Sequence, residues 1–185
     1  MLEVEVKYRS PDRDALKRIL TTWGGSPKET RIEEDHYFNA PDRDFRTTDE
    51  AFRLRRIGPR NVLTYKGPKQ DTATKTRTEI EVPLADGDAT ATNTREMLTA
   101  LGYRHVTVVR KLREVWRFTR DGFTAEACFD DVDQVGAFVE LEIQAESTDF
   151  ERAKAAVLAA AEELGLTEME RRSYLTMFLA KAGER

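Results

Sequence analysis

The chain has 185 residues, with 30 Lys and Arg against 34 Asp and Glu and a formal net charge of -4. That length suits one domain, residues 1–185, with a substantial core, and the near balance of charges excludes nucleic-acid binding through a wholly basic surface. The single cysteine, Cys128, excludes an internal disulfide, and with only His36 and His105 beside it a His/Cys zinc site is disfavoured. No apolar run approaches the roughly 18 residues of a membrane span, so the expectation is a soluble, cytoplasmic protein with no membrane partner. Neither a GxxxxGK[ST] nor a GxSxG motif occurs, and any metal must therefore rest on carboxylates.

The first stretch, LEVEVKYR, alternates charged and apolar residues and reads as a strand. Ser10 as N-cap and Pro11 at the first helical position open a helix with Leu16, Ile19, Leu20 and Trp23 at helical spacing, ended by Gly24-Gly25. Residues 29–38, 51–57, 61–66 and 76–82 read as strands, with Gly58-Pro59-Arg60-Asn61 as a hairpin connection. Residues 69–75 are polar and rich in Thr, the one candidate flexible segment. A second helix covers 94–101, and strands follow at 106–120, 123–130 and 137–145. A helix over 149–164 stops at Gly165, and the apolar segment 173–179 reads as a terminal helix docked on the sheet. Long strands in antiparallel-compatible order with three or four helices predict an α+β domain: an eight-stranded antiparallel β-barrel with helices packed outside.

The opening alternation recurs. Arg53 and Arg55 share one face; so do Lys66 and Thr64; Arg77, Glu79 and Glu81; Lys111 and Arg113; Glu126, Cys128 and Asp130; and Glu140, Glu142 and Gln144. A single such strand is an ordinary half-wet surface. With helices that must bury apolar stripes against the outer face, the charged faces together become the lining of the barrel. An eight-stranded barrel has room for one small ligand. Arg and Lys bind phosphate oxygens, and carboxylates bind hard divalent cations that bridge them. The lining predicts a site for a triphosphate with Mg2+ or Mn2+.

Glu3-x-Glu5-x-Lys7, TDEAFRLRR, TYKGP, Arg77-x-Glu79-x-Glu81, Lys111-x-Arg113, FDDVDQVGAFVELE and ERRSYL occur in this order over nearly the whole chain. Together they resemble the CYTH superfamily of triphosphate tunnel metalloenzymes, most closely its class IV adenylate cyclase branch. Phe52 stands where the family block usually has leucine. The resemblance implies metal ligands at Glu3, Glu5, Glu140 and Glu142, with Asp130 beside them and Glu79 and Glu81 orienting cations or a second metal. It implies phosphate binding by Lys7, Arg53, Arg55, Lys66, Arg77, Lys111 and Arg113. It further implies conversion of ATP to cyclic AMP and pyrophosphate; the alternatives are hydrolysis of tripolyphosphate, thiamine triphosphate or a nucleoside triphosphate, and a non-catalytic polyphosphate-binding module.

Lys7, Glu140 and Glu142 are the candidate catalytic residues. Lys7 is either a proton acceptor, through an amine lowered by neighbouring cations, or simply a partner of Glu3 or Glu5. Lys75, in the flexible segment, reads as a solvated lysine or one that touches substrate, His36 as a strand-surface residue, Cys128 as packing, and Trp23, Trp116 and Phe118 as core. Tyr174 and Arg172 fall near a tunnel mouth, as a plug or as plain docking of the last helix. A homodimer would form through an exposed sheet edge.

Overall fold

The computed structural model describes residues 2–10, 12–70 and 74–183. Eight strands form a closed barrel: β1 (Leu2–Arg9), β2 (Ser26–Asn39), β3 (Ala51–Ile57), β4 (Arg60–Lys69), β5 (Arg77–Leu84), β6 (Arg104–Arg120), β7 (Phe123–Val132) and β8 (Gly136–Ala145). Their order around the barrel is β1-β5-β4-β3-β2-β6-β7-β8, and every pair is antiparallel. The helices α1 (Arg13–Thr22), α2 (Asp88–Ala100), α3 (Phe150–Glu163) and α4 (Tyr174–Gly183) lie outside it.

Closure runs through a short seam, Leu2 opposite Thr78 and Glu3 opposite Arg77. Past Thr78, β5 pairs with β4 alone. Pro83, which cannot donate to a ladder, sits on that half-free strand, where proline is tolerated. Beyond that seam, β5 has no strand neighbour on its β1 side among the described residues.

The apolar side of the barrel faces outward and is the core. Val4 and Val6 of β1, Ala127 and Phe129 of β7, and Leu141 and Ile143 of β8 are fully buried under Leu16 and Leu20 of α1 and the small-residue face of α3, Ala153, Ala156, Val157 and Ala160. Alanines let the α3 backbone approach the sheet closely, and a helix on a sheet buries its stripe this way. A second outer cluster joins Ala91 and Leu98 of α2 to Phe38 and Leu54.

Several boundaries differ from the sequence reading. Helix α1 starts at Arg13, with Asp12 rather than Ser10 as its N-cap; the Asp12 carboxylate accepts from the Ala15 amide at 2.9 Å. Pro11 lies outside the described residues, and Ser10 directly follows the end of β1, its amide donating to the Ala137 carbonyl. Helix α2 begins at Asp88, well before residue 94, because its buried stripe of Ala91, Thr94 and Leu98 uses small and polar side chains with little apolar signal. The β3–β4 connection is a tight hairpin as expected, with Ile57 opposite Arg60 and Gly58 at φ +57°.

Replacing Leu141, fully buried between β8 and the helices, with Ala is expected to cost about 2–5 kcal/mol of unfolding free energy. Urea unfolding followed by far-UV circular dichroism checks it.

Candidate active site

Barrel closure turns the charged faces inward. The registers bring Glu5 opposite Glu142, Lys7 opposite Glu140, Arg113 opposite Asp130, Lys111 opposite Glu33, and Asp35 opposite Arg55. Of these, Glu5, Glu140, Glu142, Arg55, Lys111 and Arg113 line a cavity of about 250 Å³ that carries both signs of charge.

Each cation is held by carboxylates on neighbouring strands. Arg113 grips Asp130 through two nitrogens, at 2.7 and 2.6 Å, reaches Glu142 at 3.3 Å, and donates to Glu140. Lys111 lies 3.2 Å from Asp130 and 3.3 Å from Glu33. Arg55 meets Asp35 at 2.7 and 2.8 Å and Glu33 at 2.9 Å. Arg53 lies 3.2 Å from Asp35 and 4.0 Å from Glu79. Lys66 bridges Glu3 at 2.9 Å and Glu79 at 2.7 Å. Arg77 turns to Asp49, 3.5 Å away, and Glu81 stands more exposed, accepting from the Thr64 hydroxyl at 3.3 Å. Buried ion pairs of this kind are a weak source of stability, since desolvation offsets most of the Coulomb gain. Their concentration on one inner wall points to a charged ligand.

The wall changes character at one end. There the inward residues are Tyr37, Val109, Val132 and Phe138, and α4 adds Tyr174 and Met177. Ser173 caps α4: its hydroxyl accepts from the Thr176 amide at 3.0 Å, which sets Tyr174 in the first turn. The Tyr174 hydroxyl donates to Asp130 at 2.9 Å, and its ring lies 4.1 Å from Lys7 Nζ. Lys7 Nζ donates to the backbone carbonyl of Arg172, whose own side chain points away to Glu170. The Tyr174 ring thus closes the tunnel, while Arg172 contributes only a carbonyl. Burial first, then the charge of Lys75, lowers the Lys7 amine to about 7.

The carboxylates split by environment. Burial raises Glu3, but Lys66 overrides it and holds the group at about 2. Glu79 is raised to about 7 by burial and by Glu3, and Glu142 to about 8 by burial, against Arg113, with Glu3 and Glu140 adding to the rise. Glu5 is raised by burial and by Glu140. These carboxylates crowd one another among the cations of the wall, as an all-oxygen donor set. Such a set suits a hard divalent cation of the Mg2+ or Mn2+ type. Glu126, Cys128 and Glu142 also bring ligand atoms within 4.8 Å of one another. Glu126, however, is already paired with Lys28 and Arg117, and burial pushes the Cys128 thiol well up, which makes it a poor ligand for such an ion.

The CYTH domain model matches residues 1–174. The chain belongs to the CYTH domain family. Among curated relatives, the protein named "Putative adenylate cyclase MJ0240" from Methanocaldococcus jannaschii is 40% identical over 142 residues, 77% of each chain. Adenylate cyclase CyaB from Aeromonas hydrophila is 30% identical, covering 95% of this chain and 87% of its own. A Pyrococcus horikoshii protein of known structure superposes with a TM-score of 0.83 at 35% identity, over 97% of this chain and 99% of its own. A Hippeastrum protein, named "Putative adenylyl cyclase HpAC1" and described as having a dominant triphosphatase activity, shares the fold, with a TM-score of 0.65 at 18% identity over 97% of this chain and 96% of its own.

In this CYTH domain, Glu3, Glu5, Arg53, Arg55, Lys66, Arg77, Glu79, Glu81, Lys111, Arg113, Glu140 and Glu142 all line the cavity. Lys7 and Asp130 are buried behind it, at its closed end. Lys75 is not simply solvated: its side chain is half-buried and pairs with Glu5 and, at 3.4 Å, with Glu140, while residues 71–73 of the segment expected to be flexible lie outside the described residues. The inward face of β2 went unread. Arg31, Glu33 and Asp35 alternate there, with Glu33 and Asp35 buried and paired to Arg55 and Lys111 or Arg53. Their period-two signal is masked by Glu34, a charge on the opposite face. His36 sits outside the lining beside His105, with ring centroids 6.2 Å apart.

Metal binding needs ionised carboxylates, so protons on Glu79 and Glu142 compete with it. Mn2+ affinity is expected to rise as pH increases from about 6 to 8, by up to about tenfold per pH unit for each proton released. Calorimetry in two buffers of different ionisation enthalpy reads the released protons directly; a pH-independent affinity would contradict this placement of the ion.

Proposed function

We propose that this CYTH domain converts ATP to cyclic AMP and pyrophosphate with a divalent metal ion. The observation that carries this reading is the inner wall itself: a ring of Arg and Lys facing an oxygen-only carboxylate cluster inside a tunnel closed at one end. The adenylate cyclase names of relatives at 40% and 30% identity favour cyclisation within that frame.

Arg53, Arg55, Lys66, Arg77, Lys111 and Arg113 hold the phosphate chain, and those nearest the β- and γ-phosphates stabilise charge on the departing pyrophosphate. Glu3, Glu5, Glu79, Glu140 and Glu142 are the residues that hold Mg2+ or Mn2+, which when bound neutralises phosphate oxygens and polarises the attacking hydroxyl. Asp130 is saturated by Arg113, Lys111 and Tyr174, and orients those cations. The ribose 3'-oxygen forms a bond to the α-phosphorus while the bond to the β-phosphate bridging oxygen breaks. The hydroxyl proton passes to solvent water, while Lys7, buried behind the cavity at its closed end, holds the Arg172 carbonyl.

The second reading is hydrolysis of a triphosphate at its terminal phosphorus. It is favoured by the position of Lys7 at the closed end, where a proton acceptor would face water at the tip of the phosphate chain rather than a ribose.

Incubating the purified protein with ATP or tripolyphosphate and Mg2+ or Mn2+, and resolving the products, separates these readings. Cyclic AMP with equimolar pyrophosphate is expected, and Glu142→Gln, which keeps the shape and removes the charge, is expected to lower kcat by about 100-fold or more. Orthophosphate without cyclic AMP selects hydrolysis. Triphosphate binding without turnover overturns both readings in favour of a binding module.

A further inference from the structure

A second cavity, of about 520 Å³, lies outside the tunnel between the end of β1, the start of α1 and the turn after α3. Its floor is apolar, formed by Leu16, Ala137, Leu164 and Leu166. Ser10 also lines it. That side chain is 7% exposed, and its hydroxyl has no hydrogen-bond partner among the described residues. A buried, unpaired hydroxyl is costly, and because Ser10 is part of the cavity wall, rotation about its Cα–Cβ bond brings the hydroxyl to a ligand that hydrogen-bonds to it.

The rim carries one cation and two carboxylates, Arg9, Asp12 and Glu168. The Arg9 guanidinium lies 5.4 Å from the Phe138 ring centroid and forms no ion pair among the described residues. One oxygen of Asp12 is committed to the α1 cap, which leaves the other available. A phosphate or sulfate would face two carboxylates, and a purely apolar molecule would leave Ser10 unpaired. A zwitterion with an apolar side chain meets every group: its carboxylate reaches Arg9 and Ser10, its ammonium reaches Asp12 or Glu168, and its side chain covers Leu16 and Leu164.

The same wall continues into the strap that shuts the tunnel. Glu168 accepts from the Arg9 amide at 3.4 Å, Met169 bridges to Tyr8, the Glu170 amide donates to the Lys7 carbonyl at 2.7 Å, and the Arg172 carbonyl receives Lys7 Nζ. Tyr174 follows directly. We propose that this cavity is a regulatory site for a small zwitterion of the apolar amino acid or dipeptide class, and that its occupancy holds segment 166–174 against β1 and so biases the closed end of the tunnel. A ligand shifts such an equilibrium only through its preference for one state. Here the preference arises because Leu166 and Glu168 are both wall and strap.

The test titrates L-leucine and leucyl-leucine into the full chain by calorimetry and follows amide exchange over residues 166–174. At least one is expected to bind with a dissociation constant below about 10 mM and to slow exchange at Glu170. Arg9→Ala, on an exposed side chain, and Ala137→Trp, which fills the cavity, are each expected to weaken binding about tenfold or more. Ser10→Ala is expected to weaken binding and to raise the Tm of the unliganded protein. Binding of neither molecule, binding unchanged in Arg9→Ala and Ser10→Ala, or displacement by tripolyphosphate would each overturn the proposal. None of these readouts requires turnover, so they stand or fall apart from the cyclase reading.

Discussion

Closure of the sheet with its apolar face outward is the constraint on which the rest of this protein depends. A flat antiparallel sheet with one charged face would put that face in bulk water, where its ion pairs are worth little. Closed on itself, with α1 and α3 covering Val4, Phe129 and Leu141 from outside, the sheet confines Glu3, Glu5, Arg55, Lys66, Arg113 and Glu142 to a narrow interior. Each charge then meets several others across the barrel. Crowding and burial are what raise Glu79 and Glu142 and lower Lys7.

Those shifts share one origin. Cations and carboxylates are interleaved, but not uniformly: Asp130, Glu33 and Asp35 are each held by at least two cations, whereas Glu142 shares Arg113 with Asp130 and Glu140. The well-paired carboxylates fix the geometry of the arginines. In the proposed reading, the poorly paired ones are those that take a cation from solution. A wall divided in this way accommodates both a polyanion and the metal that accompanies it, which neither a basic groove nor an acidic cluster achieves alone.

The closed end depends on different physics. Phe138, Val132 and Tyr37 replace charges on the inner face, and the Ser173 cap starts α4 where Tyr174 covers them. The ring sits against Lys7 and donates to Asp130, so the plug joins the apolar cluster to the ion network. The segment before it runs back along β1 and touches the outer cavity at Ser10, which joins the surface to the closed end of the tunnel through one short stretch of chain.

Strand alternation was legible along β1, β3, β5, β6, β7 and β8, because a period of two survives any register and needs only side-chain order. It gave the barrel, its charged interior and most of the lining. It failed on β2, where Glu34 and the neighbouring charges blur the period, and on α2, whose stripe is built from Ala and Thr. It also left Lys75 on the surface, since no local pattern shows that its amine lies between Glu5 and Glu140 from strands β1 and β8. What the sequence by itself determined is which face of each strand is charged. Which carboxylate is well paired, which shares its cation, where the tunnel shuts and where Ser10 is left without a hydrogen-bond partner among the described residues were decided only by tertiary structure, because each depends on registers and distances between segments far apart in the chain.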